Sequence, residues 1–346
     1  DTVVGMPFST PQAYQEAVRQ VDELKREFLL LVDSIGRLEI QIAGRQNKTW
    51  SCVQSDGRCI LLEDGQDVGT WIVNASEGEI PVDMLDHGEH ARNRFQLTIA
   101  VPNERQAGPG CLFCYFPTEV QIPLPLLAHA TVELDETRKH MNDTRANRHI
   151  LKVMAERIAE LAEQQIGRPG ADGWEGCRLV TPVGAWDREL EQFGIPAALK
   201  DAAQQKKLVP VLGGGHRCAM EANSAPGDAA TYWPARLFPE MAAAENEEEQ
   251  KFSEYLDVEP LPTDQLLQRL LAANDLTLDE RAYAITGLLQ IRRPPADDTL
   301  ATRLCDETET PLPAGASAIL QPAGELPPLP TWATIRFLHS ELRQKL

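Results

Sequence analysis

Arg138 is the residue of this 346-residue chain whose type and position point most directly to chemistry. It lies in the stretch LDETRKHM, residues 134–141, between an apolar strand-like run and an amphipathic helix-like run. A guanidinium keeps its charge at every physiological pH, and its planar fork matches phosphate oxygens. We therefore interpret Arg138 either as a solvated loop residue or as a phosphate-sensing group directed at a nucleotide held elsewhere.

The two cysteines of the stretch CLFC, Cys111 and Cys114, have a spacing that is common at zinc and redox sites. The sequence offers no second pair of this kind. The stretch is typical of a strand, where residues three apart face opposite sides. We interpret both residues as buried cysteines that act as small apolar side chains.

The glycine-rich stretch VLGGGHRC, residues 211–218, is similar in composition to a phosphate-binding loop. It lacks the Lys-Ser/Thr that closes a P-loop and the G-x-G-x-x-G of a dinucleotide-binding turn. We interpret it as a flexible turn followed by a surface histidine, His216. The stretches RNRF at 92–95 and DETET at 306–310 are interpreted as a polar strand end and a solvated acidic loop.

The composition and net charge of the chain argue against several classes of function. Acidic residues outnumber basic ones by 52 to 33, and the net charge of −19 argues against a large nonspecific nucleic-acid footprint, while a local basic patch stays open. Seven cysteines spread along the chain do not suggest a disulfide framework, which favours a reduced cytoplasmic setting. No apolar run reaches the roughly eighteen residues of a membrane span, so no membrane association is expected.

Hydrophobic periodicity predicts a helix, then a sheet, then a second helix. The first helix follows a cap at Ser9-Thr10-Pro11 and extends to about residue 35. About five to seven short, mainly antiparallel strands come next. The second helix begins near Asn142 or Asp143. Its predicted buried stripe consists of Ile150, Met154, Ile158 and Leu161.

We therefore predict an α+β fold. Residues 1–166 form a domain with a helix, an antiparallel or mixed sheet and a helix, and residues 167–176 form a Gly/Pro-rich linker. Residues 177–346 form a mixed, largely helical region in which prolines crowd the sequence from residue 294. Because the sequence lacks a starting methionine, we expect a fragment, a processed form or the ordered part of a longer chain.

Three stretches carry a resemblance to a known family. They are GCLFCYFPT at 110–118, PLP at 123–125 and LDETR at 134–138. In this order they resemble the segment that follows the nucleotide-binding domain in the sacsin-like branch of the GHKL ATPases, which are related to the ninety-kilodalton heat-shock chaperones. The resemblance covers residues 7–166, and it extends weakly into 200–346 through PLPTWATIRFLHSEL.

The resemblance implies a transducer-like domain and a role for two residues. In the related chaperones, an arginine of the matching turn reaches the γ-phosphate of ATP, and Arg138 holds that position here. Asn142 matches an amide-bearing position of the same loop. ATP and Mg²⁺ are then expected to bind mainly outside this chain, since the Asn-bearing helix, the Asp-x-Gly-x-Gly and the glycine-rich lid of the family are absent from its sequence.

The expected function is the coupling of ATP binding and hydrolysis, in an upstream ATP-binding domain or subunit, to conformational change. The complete protein is then an ATPase and this chain alone is inactive, within a chaperone-like or antiviral-defence machine that has a protein partner and forms a homodimer. Two alternatives stay open. One is a non-enzymatic protein-interaction scaffold, and the other is a DNA-linked defence or repair component, whose binding would weaken steeply with salt.

Overall fold

The computed structural model describes ten stretches of the chain and groups them into two compact units. The first unit contains the described residues up to Ile158 together with Leu179–Leu199. The second contains Ala159–Arg178 and the described residues from Lys200 onward. The described residues are 8–32, 35–42, 44–55, 58–85, 93–103, 108–166, 173–226, 233–273, 275–290 and 340–345.

This division differs from the predicted boundaries at 166 and 177. The chain leaves the first unit within a helix and returns to it for twenty-one residues, Leu179–Leu199, which local composition does not reveal. Most of the predicted linker, residues 167–172, lies outside the described residues. Trp174, at its end, is buried and donates its indole N–H to the Ala243 carbonyl at 3.4 Å, so this end is packed structure.

The predicted first helix is shorter than its apolar pattern suggests. Helix α1 runs Pro11–Glu23, and Thr10 caps it by accepting the Ala13 N–H at 3.2 Å. A 3₁₀ turn follows at Arg26–Leu30. The side chains of residues 28–31 are all buried. A continuous α-helix would turn part of this FLLL run toward solvent, whereas the turn lets every member of it pack.

The first unit is built on one eight-stranded sheet in the order β1-β2-β3-β4-β5-β8-β6-β7. All neighbouring strands are antiparallel except β6 and β8, which are parallel. The sheet is therefore mixed, as one of the two predicted arrangements has it. The strands are β1 Arg37–Ile40, β2 Lys48–Ser55, β3 Arg58–Glu63, β4 Gln66–Glu79, β5 Arg94–Pro102, β6 Gly110–Cys114, β7 Phe116–Ile122 and β8 Leu127–Ala130.

Alternate residues of the sheet face two apolar layers. On one face, the 3₁₀ turn packs with Trp50, Leu61, Trp71 and Phe113 into one cluster. The other face carries Phe95, whose ring contacts the His149 ring edge-to-face at 5.9 Å. Successive residues of a strand point to opposite faces, so Leu97 and Ile99 share the face of Phe95.

The second predicted helix, α2, runs Arg145–Gln165. Its predicted stripe is confirmed, because Ile150, Met154, Ile158 and Leu161 are all buried. The predicted cap is one or two residues too early. Thr144 accepts the Asn147 N–H at 3.1 Å, which makes its hydroxyl the capping group.

Three short helices follow, and the remaining elements belong to the second unit. Helices α3, α4 and α5 span Glu175–Val180, Arg188–Gln192 and Ile195–Gln204. The second unit adds a two-stranded hairpin and helices around a core of Trp233, Phe238, Met241, Leu261, Leu266, Leu270 and Ala284. These elements are β9 Val209–Pro210, β10 His216–Arg217, α6 Glu247–Tyr255, α7 Thr263–Ala272, α8 Leu278–Gln290 and α9 Ser340–Lys345.

The chain has an α+β fold, which confirms the predicted class. The described part of the downstream region is mainly helical with one small hairpin. The proline-rich residues 294–339 lie outside the described residues. Within the described stretches, none of the helices has the length and apolarity needed to cross a bilayer.

Candidate functional site

Arg138 lies near the tip of a closed loop, residues 134–142, that we call the arginine loop. A β-bridge pairs Leu134 with Met141 at its base. Above the bridge, the Asp135 N–H donates to the His140 carbonyl at 2.9 Å, and the Arg138 N–H donates to the Asp135 carbonyl at 3.0 Å. Arg138 has a φ of 61°, in the left-handed region that non-glycine residues seldom adopt.

The carboxylate of Asp135 organises the inside of the arginine loop. It accepts the Thr137 hydroxyl at 2.8 Å and the backbone N–H groups of Lys139 and His140 at 3.2 and 3.4 Å. The hydrogen bond from Thr137, followed by those from the two backbone groups, holds the pKa of Asp135 below its usual value despite some desolvation. An ionised Asp135 thus holds the Thr137 side chain before Arg138 and the backbone after it.

Asn147 joins the arginine loop to helix α2. Its side chain is fully buried and accepts the Glu133 N–H at 2.8 Å. The same amide donates to the carbonyls of Glu133 and Asn142, each at 2.8 Å. The sequence interpretation missed this residue, although an amide in the first turn of an otherwise amphipathic helix was a signal that could have found it.

Asn142, the second predicted site residue, serves the backbone of the same loop. Its side-chain amide donates to the Leu134 carbonyl at 3.0 Å, and its N–H donates to the Glu133 carbonyl at 3.0 Å. The residue is exposed and lies at the C-terminal base of the arginine loop. The structure therefore brings Arg138 and Asn142 into one loop, with the amide group of Asn142 bonded to that loop's own backbone.

Two carboxylates from other elements brace the outer side of the arginine loop. Glu119 of β7 pairs with the Lys139 ammonium at 2.5 Å, and Glu189 of α4 pairs with His140 Nδ1 at 2.6 Å. These hydrogen bonds are the largest reason that the pKa values of Lys139 and His140 both lie above their usual values. The loop is thus held from inside by Asp135 and from outside by Glu119 and Glu189.

The guanidinium of Arg138 is left exposed by this arrangement. Within the stretches that the structure describes, it forms no side-chain hydrogen bond and no ion pair. Its charge acts on Cys114, where burial raises the thiol pKa and the charge of Arg138 opposes that rise. Arg138 is therefore a solvent-facing cation beside the turn between β6 and β7.

That turn exposes two aromatic side chains and borders a cleft. Tyr115 and Phe116 are 51% and 60% exposed, and Tyr115 has a left-handed φ of 63°. The Tyr115 ring contacts the buried His129 ring edge-to-face at 5.1 Å.

The cleft beside this turn has a volume of about 490 Å³ and lies over this side of the sheet. Leu31 forms part of its wall, and strands β4, β5 and β8 contribute Glu77, Gln96, Thr98 and His129.

Of the two cysteines of CLFC, Cys111 is buried as the sequence predicts, with 2% of its surface exposed. Cys114 is half-buried and donates its Sγ–H to the Val132 carbonyl at 3.4 Å. Burial raises the pKa of both thiols. In the described part of the chain, all six cysteines are free, and no three His, Cys, Asp or Glu side chains are placed to hold a metal ion.

These thiols should be poorly reactive in the folded protein. At mildly alkaline pH we expect Cys111 to be alkylated by iodoacetamide at least roughly tenfold more slowly than in urea, because only an accessible thiolate reacts. Cys218, which is less buried, serves as the reference. Mass spectrometry of the peptides measures both rates. Equal labelling of Cys111 with and without urea would contradict the packing described here.

The structure places the other described motifs of the sequence in a turn, beside a backbone carbonyl and at a strand end. The glycine-rich stretch forms the turn between β9 and β10, where Gly214 and Gly215 adopt φ values of 87° and 77°. His216 Nε2 lies 2.8 Å from the Gly173 carbonyl oxygen. Arg94 is exposed beside Glu79 at 3.7 Å, which agrees with a polar strand end. Arg92 and residues 306–310 lie outside the described residues.

Comparison of the chain with family models, with curated proteins and with solved structures gives no match. The candidate site is therefore defined by its geometry. It consists of the arginine loop, the exposed aromatic turn next to it and the carboxylates that hold the loop in place.

Proposed function

We propose that this chain is the transducer-like middle and downstream part of a sacsin-like GHKL ATPase. It couples ATP binding and hydrolysis in an ATP-binding domain or subunit to conformational change. The observation that supports this proposal best is the position of the Arg138 side chain. Its guanidinium is exposed on a loop that is braced on several sides.

The chemistry of phosphoryl transfer suits such a residue. Catalysis there depends on positioning and on stabilising the charge that spreads over the γ-phosphate oxygens. A cation that the protein already holds in place loses little entropy when it meets that charge. Because Asp135, Asn147 and Glu189 fix the loop before any ligand arrives, the backbone that carries Arg138 is already in place, and only the side chain of Arg138 has to be ordered on binding.

ATP supplies the transferred phosphoryl group in this proposal, and Mg²⁺ accompanies it in the partner domain. The residues of this chain contribute a positioned positive charge near the γ-phosphate. Among the described residues, the side chain that fits this role is Arg138, and the amide of Asn142 supports the loop backbone. The free state of the described cysteines supports a cytoplasmic location as part of the same proposal.

The second candidate function is a protein-interaction scaffold without enzymatic activity. The observation in its favour is the turn that exposes Tyr115 and Phe116 beside Arg138. Aromatic and arginine side chains are the residue types that dominate protein interfaces. A scaffold would use these side chains to bind a partner, and nucleotide would have no effect on that binding.

Substitution of Arg138 in the ATP-binding assembly tests the proposed function. We expect Arg138→Ala to reduce the rate of ATP hydrolysis by about a thousandfold, because an arginine finger contributes on that order. Arg138→Lys should recover part of the loss, since it restores the charge without the planar fork. Steady-state phosphate release from the chain combined with its ATP-binding domain or subunit measures the effect.

Arg58→Ala is the matched control for this experiment. Arg58 is an exposed arginine at the start of β3 in the same unit, and its removal changes the net charge equally. ATP hydrolysis that Arg138→Ala leaves unchanged, in a folded protein, would overturn the proposed role. Absence of ATP hydrolysis from the intact assembly, with partner binding lost in Phe116→Ala, would favour the scaffold.

A further inference from the structure

The segment Leu179–Leu199 returns to the first unit although the chain before and after it belongs to the second. It carries Glu189, whose two carboxylate oxygens have different partners in the arginine loop. Oε1 lies 2.6 Å from His140 Nδ1, and Oε2 accepts the Met141 N–H at 2.9 Å. One side chain thus holds two consecutive residues of the loop, two and three positions after Arg138.

Glu189 is itself fixed by its neighbours. Asp187 caps α4 by accepting the Glu189 N–H at 2.9 Å through Oδ1, and its Oδ2 accepts the Gln121 N–H of β7 at 3.3 Å. Leu190 is fully buried. At the other end of α4, Arg148 of helix α2 donates to the Gln192 carbonyl at 3.2 Å. Both ends of this short helix are therefore tied to the first unit.

We infer that Glu189 is a positioning residue for Arg138. Helix α4 acts as a clip that closes the arginine loop against the first unit, and release of the clip lets the loop move. The consequence for catalysis rests on the proposed function, because it requires Arg138 to meet a phosphate. The effect on the loop itself does not, since it follows from the contacts within this chain.

Protonation of His140 adjusts the strength of the clip. The imidazole faces Glu189 of α4, Glu119 of β7 at 3.9 Å and Asp135 of its own loop, while Lys139 pairs with the same Glu119. The Glu189 hydrogen bond is the main reason that the pKa of His140 lies above its ordinary value of 6.5. The contribution is therefore complete below pH 6.5 and declines as pH rises through the folded-state pKa of His140.

Hydrogen exchange of the loop amides in the full chain tests the clip without any nucleotide. We expect Glu189→Ala to raise the exchange rate of residues 134–142 by about tenfold or more, while the α2 residues 150–162 stay protected. Glu191→Gln is the matched control. It removes the same charge from the same short helix, and Glu191 is exposed.

Glu189→Gln separates a positioning role from a general loss of structure. Its amide oxygen still accepts the Met141 N–H, but it no longer pairs with a charged imidazole. We expect faster loop exchange than in the wild type below the pKa of His140 and near-equal exchange above it, after correction for the intrinsic pH dependence of exchange. The His140 pKa, measured by NMR, should fall toward its ordinary value in this variant.

The outcomes decide the inference in either direction. Loop exchange that stays at the wild-type rate in Glu189→Ala, or a His140 pKa unchanged in Glu189→Gln, would overturn it. If Glu189→Ala loses protection throughout the first unit, the Glu189→Gln measurements decide. A confirmed clip combined with unchanged ATP hydrolysis in Arg138→Ala would leave the clip standing and reject the proposed function.

Discussion

Gly110→Ala is expected to destabilise the first unit by about 3 kcal/mol or more, since overpacking against rigid backbone is among the most costly core changes. A Cβ at this position would lie 1.5 Å from the Leu126 carbonyl oxygen and 2.7 Å from its carbon. The strand cannot move away easily, because the Gly110 N–H donates to the Leu124 carbonyl at 3.0 Å. Urea unfolding followed by circular dichroism measures the loss.

Gly184→Ala provides the comparison. Gly184 lies in the same unit, and an added Cβ would meet no atom within 4 Å. Its change in stability should stay within about 0.5 kcal/mol. If the two alanine variants unfold at the same urea concentration, the close approach of residues 124–126 to β6 is not present in solution.

Asn147→Ala is expected to cost about 2–3 kcal/mol, because a buried donor or acceptor that loses its partner carries its full desolvation cost. The Glu133 N–H bonds to the Asn147 side chain at 2.8 Å, and the substitution removes this acceptor. The carbonyls of Glu133 and Asn142 lose one donor each. Asn147→Asp should not restore stability, since a carboxylate would face both carbonyls.

Asn142→Ala separates the buried amide from the exposed one. It removes a single hydrogen bond, to the Leu134 carbonyl, at a solvent-exposed position. We expect a cost of about 1 kcal/mol or less, as for an ordinary hydrogen bond. An equal or larger loss of stability in Asn142→Ala than in Asn147→Ala would contradict the roles assigned here.

Residues that carry the family resemblance have structural duties in this fold. Gly110 leaves room for the backbone that follows the PLP stretch. Thr118 is buried, and its hydroxyl donates to the Leu112 carbonyl at 2.8 Å. Asp135 holds the backbone around Arg138. Packing and loop geometry account for these residue types, whereas no contact within the described chain accounts for the exposed guanidinium of Arg138.

Local pattern predicted the elements whose signal is periodic. The stripe of α2 repeats every three or four residues along the chain, so a single sequence reveals it. The 3₁₀ turn was predicted as helix, because an FLLL run satisfies a helical pattern and only tertiary packing decides against it. The predicted cap of α2 lies one or two residues before the observed cap, Thr144. Asn142, Asp143 and Thr144 are all suitable capping residues, and the sequence does not distinguish between them.

The supports of the candidate site could not be predicted in the same way. Glu189 lies about fifty positions after His140, and nothing in the intervening sequence indicates that α4 returns to the arginine loop. Asn147 is close in sequence, but its burial depends on where the loop before α2 passes. The sequence therefore indicated the residue that faces solvent and left undetected the residues that hold it.

The discontinuity of the first unit bears on its biosynthesis. During translation, every strand of the sheet and the whole of α2 are synthesised before Asp187 and Glu189, so the nascent unit is completed only when the Leu179–Leu199 segment is made. A polypeptide cut after residue 166 would contain every strand of the large sheet and Arg138 itself. In this polypeptide Glu119 could still pair with Lys139, but Glu189, the other carboxylate that holds the arginine loop from outside, would be missing.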